Sequence, residues 1–167
     1  MLPEIRPRIL NELTLQQDYE NSHQYKLKQS WVDQIRDRKP KLLMTITVKN
    51  FQTDASFIKM INSFLHFINA TLFKKRYKAG EQYLTGFAAL EHQAYGNPHI
   101  HILVENKISD EELEKVVRKH ISKFPQLTNM GIRIDKINQS DDDFTKIGGY
   151  LQKECDGFML MDKNGVK

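Results

Sequence analysis

Two histidines one residue apart, His99 and His101, stand in the run Asn97-Pro98-His99-Ile100-His101-Ile102-Leu103-Val104, whose β-branched and aliphatic composition predicts a strand over Pro98 to Val104. Alternate side chains of a strand share a face, so both imidazoles point one way while Ile100 and Ile102 point the other. Imidazole is a ligand for divalent transition metals, but two ligands hold an ion loosely and a third is required. The preceding run, Tyr83 to Glu91, also reads as a strand. Gly96, Asn97 and Pro98 favour a turn between the two, so an antiparallel hairpin is expected to lay Glu91 beside the histidines. His92 then points to the opposite face unless a bulge exchanges the two. The plain alternative is a pair of polar residues on the wet face of a sheet.

A second candidate lies downstream, in Asp143-Phe144-Thr145-Lys146-Ile147-Gly148-Gly149-Tyr150-Leu151-Gln152-Lys153. Helical spacing places Lys146, Tyr150 and Lys153 on one face. Two glycines inside a helix cost roughly 1 kcal/mol each against alanine, so they call for a reason, such as close approach to the sheet or to a ligand backbone. A tyrosine flanked by two ammonium groups suits attack on a phosphodiester, because cations favour the phenolate and neutralise the charge of the phosphorane-like transition state. Its plain alternative is a half-buried packing tyrosine with its lysines in solvent.

The elements that must position these groups can be read along the chain. Met1 to Gln29 is polar and without period and reads as an irregular arm; Ser30 to Arg38 reads as a short helix stopped by Pro40. Leu42 to Lys49 is a β-rich run. A long helix is predicted from Ala55, capped by Asp54, to Lys78, with an apolar stripe from Phe57 to Phe73 and Gly80 beyond its end; His66 belongs at the edge of that stripe, as a core-edge residue rather than a ligand. Ser109-Asp110-Glu111-Glu112 is a capping box opening a second helix that ends before Pro125. Gly131 to Ile137 alternates as a strand with one wet face, and Asp141-Asp142-Asp143 starts a third helix running to about Cys155. The tail Phe158 to Lys167 is left unassigned. The order βαββαβ followed by a helix predicts an α+β fold of the ferredoxin-like (RRM-like, split βαβ) kind. It has an antiparallel sheet, the two long helices on one face, a C-terminal tyrosine helix, and the histidine face open for a site.

At 167 residues and a formal net charge of +4, the chain has the size of one domain, expected over residues 30–157, and tolerates a polyanionic partner without demanding one. The basic runs Arg36-Asp37-Arg38-Lys39-Pro40-Lys41 and Lys74-Lys75-Arg76-Tyr77-Lys78 are candidate phosphate contacts through Arg36, Arg38, Lys41, Lys74, Lys75 and Arg76, with Lys146 a further one; each run also suits an ordinary helix end. No apolar run has the length of a membrane span, and the single cysteine, Cys155, excludes an internal disulfide and points to a reducing, intracellular setting.

Taken together, these pieces resemble the HUH endonucleases, in particular the single-tyrosine rolling-circle replication initiators (Rep proteins) of plasmids, viruses and phages. The resemblance runs from about Leu42 to Glu154 and rests on three motifs in order: the alternating Leu43-Met44-Thr45-Ile46-Thr47-Val48; the His-hydrophobic-His strand at His99-Ile100-His101, preceded by Glu91; and the Tyr-x-x-Lys helix at Tyr150-Leu151-Gln152-Lys153. It implies that Glu91, His99 and His101 hold Mg²⁺ or Mn²⁺ and that Tyr150 attacks single-stranded DNA to leave a 5′-phosphotyrosine and a free 3′-hydroxyl. Lys153 would assist as a charge stabiliser, with Lys146 a less certain helper. The implied partner is single-stranded DNA at a replication origin or hairpin, with a separate helicase and polymerase and no membrane; a bacterial host would make the protein cytoplasmic. A single tyrosine sets the chain apart from paired-tyrosine initiators, and the tyrosine's place after the histidines sets it apart from relaxases. Single-tyrosine DNA transposases share the motif order and are the nearest rival. Outside the family, the alternatives are a non-catalytic RRM-like nucleic-acid-binding module and a structural zinc site on His99, His101 and either His92 or Glu91.

Overall fold

A computed structural model of the chain describes residues 23–50, 53–92 and 97–167. The elements are α1 (His23–Arg38), β1 (Leu42–Thr47), α2 (Asp54–Lys78), β2 (Gly86–His92), β3 (Pro98–Val104), α3 (Asp110–Ile121), β4 (Ile132–Lys136), α4 (Asp141–Glu154), β5 (Cys155–Asp162) and β6 (Gly165–Val166). The strands form one antiparallel sheet in the order β4-β1-β3-β2-β5-β6. Its first four strands, with α2 and α3, are the ferredoxin-like α+β arrangement expected from the order of elements.

Alternation along the strands divides the interior into two layers. Met44, Ile46, Ala88, Ile100 and Ile102 face α2 and α3, where they meet Phe57, Ile61, Phe64, Ile68, Leu113 and Val117 in the larger core. The other face carries Phe87, Ala89 and Leu103, which pack against Trp31 and Ile35 of α1 and Phe144 and Leu151 of α4. Here the structure corrects an expectation: the histidine face is roofed by α1 and α4 rather than open. A sheet buried on both sides accounts for β3 being buried at every position.

Several boundaries also move. The helix expected from Ser30 spans His23–Arg38 of the described residues, so the expected irregular arm is helical over 23–29; the rest of that arm, residues 1–22, lies outside the described residues, as does the predicted turn at 93–96. The cap of α2 is Thr53, whose hydroxyl accepts from Ser56 N at 3.4 Å, and Asp54 is the first helical residue. Ser109 caps α3 as the capping box predicts, and Ser140 caps α4 ahead of its three aspartates. Most of the unassigned stretch Phe158 to Lys167 belongs to the sheet: Phe158 pairs with Ala89 and Leu160 with Phe87, and β6 folds back onto Met161 and Asp162. With β5 along its outer side, β2 is an interior strand, and its Phe87, Ala88 and Ala89 are buried.

Candidate metal and tyrosine site

The site is built by strand register. Thr45 of β1 lies opposite His101 of β3, and Glu91 of β2 lies opposite His99, so one sheet face carries the hydroxyl, both imidazoles and the carboxylate on adjacent strands. The pairing of β2 with β3 is regular through Glu91; the irregularity of β2 falls on its other edge, toward β5. Glu91 therefore keeps the histidine face, and His92 turns away to Asp54, with Nε2 2.8 Å from Oδ1.

Three ligand atoms converge. His99 Nε2 lies 2.9 Å and His101 Nε2 3.0 Å from Glu91 Oε2, and the two Nε2 atoms are 2.9 Å apart. All three residues are nearly closed off from solvent, at 9 % exposure for Glu91, 7 % for His99 and 4 % for His101. From α4, Tyr150 donates its O–H to Glu91 Oε2 at 3.1 Å and sets its ring edge-on to His101, with centroids 5.4 Å apart. Tyr150 is 46 % exposed, so the buried triad meets solvent beside a phenol.

The donor set fits a divalent cation. An octahedral ion with bonds of about 2.1 Å sets neighbouring ligands about 3.0 Å apart, the edge length of this triangle, whereas a tetrahedral ion asks for about 3.4 Å. His101 Nδ1 is 3.1 Å from Thr45 Oγ1, a hydroxyl that can accept from Nδ1–H in the tautomer whose Nε2 is free to ligate an ion. Burial, and then His101, hold His99 below its ordinary value, so it stays neutral and able to ligate. Burial alone would raise the Glu91 carboxyl, but the hydrogen bond with His101, the electrostatic effect of the adjoining His99 imidazole and the Tyr150 hydroxyl outweigh it, and the carboxyl lies low. Two imidazoles and a carboxylate favour a transition-series ion such as Mn²⁺ over Mg²⁺, whose usual ligands are all oxygen.

The surroundings of Tyr150 differ from those expected. Burial, the hydrogen bond to Glu91 and the negative charges of Glu91, Cys155 and Glu154 push the phenol up to about 12. Lys146 is not beside it; its ammonium pairs with Asp142 one turn earlier and is 70 % exposed. Lys153 lies on α4, but its side chain is outside the described residues. The glycines have a structural reason, though the neighbour is α1 rather than the sheet: a Cβ on Gly148 would stand 2.7 to 3.0 Å from Val32, and one on Gly149 3.1 Å from Lys28 Cε.

The basic candidates stand apart from the triad. Arg36 bridges Asp33 and Asp141, joining the end of α1 to the start of α4, and Arg38 pairs with Glu105 beyond the far end of β3. Lys41 donates to Gln139. Lys74, Lys75 and Arg76 end α2, which covers the opposite sheet face; Arg76 donates to Gln82, and Lys74 breaks the helix with a left-handed φ of 50°. His66 is exposed and bonds Tyr77 Oη at 2.8 Å, outside the core edge expected for it. Thr45, part of the alternating first motif, takes a position in the site that strand alternation on the histidine face implies. The approach of Cys155 to Glu91 has no local signal in the sequence, because it depends on β5 pairing with β2.

The chain matches no family model, no curated protein and no solved structure. Among the described residues, no helix is long and apolar enough to cross a membrane.

Proposed function

We propose that the protein is a metal-dependent nuclease and strand transferase of the HUH kind, which nicks and rejoins single-stranded DNA through a 5′-phosphotyrosine and so initiates rolling-circle replication of a plasmid, virus or phage. One observation carries the reading: the Tyr150 hydroxyl lies 3.1 Å from the same Glu91 oxygen that meets both His99 and His101 Nε2, although these groups come from three separate parts of the chain.

Glu91, His99 and His101 would hold a divalent cation, which would supply positive charge for the scissile phosphate and for the Tyr150 oxygen as it loses its proton. Glu91 orients the phenol by accepting its proton in a hydrogen bond, and Thr45 fixes the ring of His101. The rigid β2–β3 pair and α4, tightly packed on α1, hold nucleophile and ligand triad in one geometry. Tyr150 Oη forms a bond to phosphorus as the bond from phosphorus to the 3′-oxygen breaks. The phenolic proton passes to water, and the departing 3′-oxygen takes one up. The phosphate remains on the 5′ side as the tyrosine ester, and attack by a 3′-hydroxyl in the reverse sense rejoins the strand. An isolated phenol at about 12 is a poor nucleophile at neutral pH, so the reading requires activity to depend on the cation.

Incubating the protein with assorted single-stranded oligonucleotides and Mn²⁺ tests this. A denaturation-resistant protein–DNA band that disappears with chelator is expected; metal-independent binding with no covalent band from any oligonucleotide would instead favour the non-catalytic binding module.

A further inference from the structure

Cys155 closes α4 and opens β5, opposite Glu91 in the β2–β5 register, with its backbone N–H on Leu151 O. Its sulfur, one Glu91 oxygen and a ring nitrogen of His101 all lie within 4.8 Å of one another. The thiol is therefore fixed by two anchored elements on the flank of the triad away from His99. We propose that Glu91, His101 and Cys155 form a second ligand set that takes a thiophilic divalent ion, Zn²⁺ above all, and excludes the harder ion from Glu91, His99 and His101. The inference rests on the metal-centre part of the proposed function and is independent of the nicking chemistry.

Ligand chemistry separates the two sets. Thiolate with imidazole and carboxylate is a zinc donor set, and zinc binds such ligands more tightly than manganese does. Tetrahedral zinc, with sulfur at about 2.3 Å and nitrogen at about 2.0 Å, sets those two atoms about 3.5 Å apart, which the separations here, all within 4.8 Å, reach with at most about 1.3 Å of side-chain movement. His99 serves the octahedral triangle and Cys155 the tetrahedral one; Glu91 and His101 serve both, so the two ions cannot bind together. Glu91, which receives the Tyr150 hydroxyl, is shared by the two sets, so exchanging one ion for the other moves the positive charge beside the phenol from the His99 flank to the Cys155 flank.

Cobalt(II) replaces zinc as a visible probe, and because the chain has one cysteine, a thiolate-to-cobalt charge-transfer band reports Cys155 alone. The full chain, reduced, is titrated with Co²⁺ by absorbance and with Mn²⁺ by electron paramagnetic resonance, as wild type, Cys155→Ser and His99→Ala, each checked for folding by circular dichroism. The wild type is expected to develop the band at one equivalent and to lose it on adding Zn²⁺. Cys155→Ser should lose the band and keep its Mn²⁺ affinity, whereas His99→Ala should keep the band and bind Mn²⁺ more than about 10-fold more weakly. A wild type without the band, or a His99→Ala variant that loses both signals together, overturns the second set. If Cys155→Ser does not fold, the wild-type and His99→Ala titrations still decide. Failure to form a DNA adduct would count against nicking and leave these binding results standing; absence of both Mn²⁺ and Co²⁺ binding removes the metal centre itself.

Discussion

Replacing Gly148 and Gly149 one at a time with alanine tests whether α1 sets the position of the tyrosine helix. Either change, taken as local helix chemistry alone, gains about 1 kcal/mol. At Gly148 the new methyl would meet Val32 Cγ2 at 2.7 Å and its backbone Cα and N at 3.0 Å, and backbone cannot rotate away. Overpacking of this kind costs about 1–3 kcal/mol, so Gly148→Ala should come out between neutral and about 2 kcal/mol destabilised. At Gly149 the nearest atoms are Cε and Nζ of Lys28, the far end of a flexible side chain, so Gly149→Ala should be neutral or slightly stabilised. With a urea m-value of about 2 kcal/mol/M, a difference of about 2 kcal/mol between the variants separates their midpoints by about 1 M. Because α4 must shift to make room at position 148, Gly148→Ala should also slow covalent adduct formation more than Gly149→Ala does. A Gly148→Ala variant more stable than Gly149→Ala would refute the close approach of α4 to α1.

Three further outcomes follow. In metal-free protein, the Tyr150 phenol, assigned by its loss in Tyr150→Phe, should titrate near 12 in a ¹³Cζ-tyrosine NMR experiment. Glu91→Gln should bring it down without reaching the ordinary 10.0, since the contribution of burial stays, and saturating Mg²⁺ in the wild type should also lower it, through its added positive charge. Thr45→Val leaves the buried His101 Nδ1 without its hydroxyl and should weaken Mn²⁺ binding by about 10–100-fold in a titration while leaving the fold intact. His120 is buried, bonds Thr71 at 2.7 Å and lies below its usual 6.5 because of burial and then Lys123 and Lys119. The unfolded chain thus takes up a proton first as pH falls below 6.5. Stability measured by urea unfolding should decline there, and His120→Gln should flatten that decline.

The strands of the site were legible because period-two alternation fixes both the fold's layers and the side on which His99, His101 and Glu91 emerge. The antiparallel hairpin of β2 and β3 followed from the turn residues between them, and the capping box gave the start of α3. Long-range pairing was not legible. Nothing local in Lys146 says that its ammonium goes to Asp142 rather than to Tyr150, since both lie four residues away on the same helix. The roof over the histidine face required knowing that α1 packs along α4, a contact carried by Val32, Lys28 and two glycines whose need for a close neighbour was visible but whose neighbour was not. Phe158 and Leu160 alternate as a strand should, yet their partner strand β2 could be assigned only in three dimensions.

The central claim, that the Tyr150 hydroxyl attacks a phosphodiester at this triad, is tested most directly by following the two ends of a cleaved oligonucleotide. With Mn²⁺, a 3′-labelled strand should transfer its label to the wild-type protein, and a 5′-labelled strand should give a shortened fragment with a free 3′-hydroxyl. Tyr150→Phe should bind the strand and do neither. Label transferred to Tyr150→Phe, or from the 5′-labelled strand instead, would contradict the account.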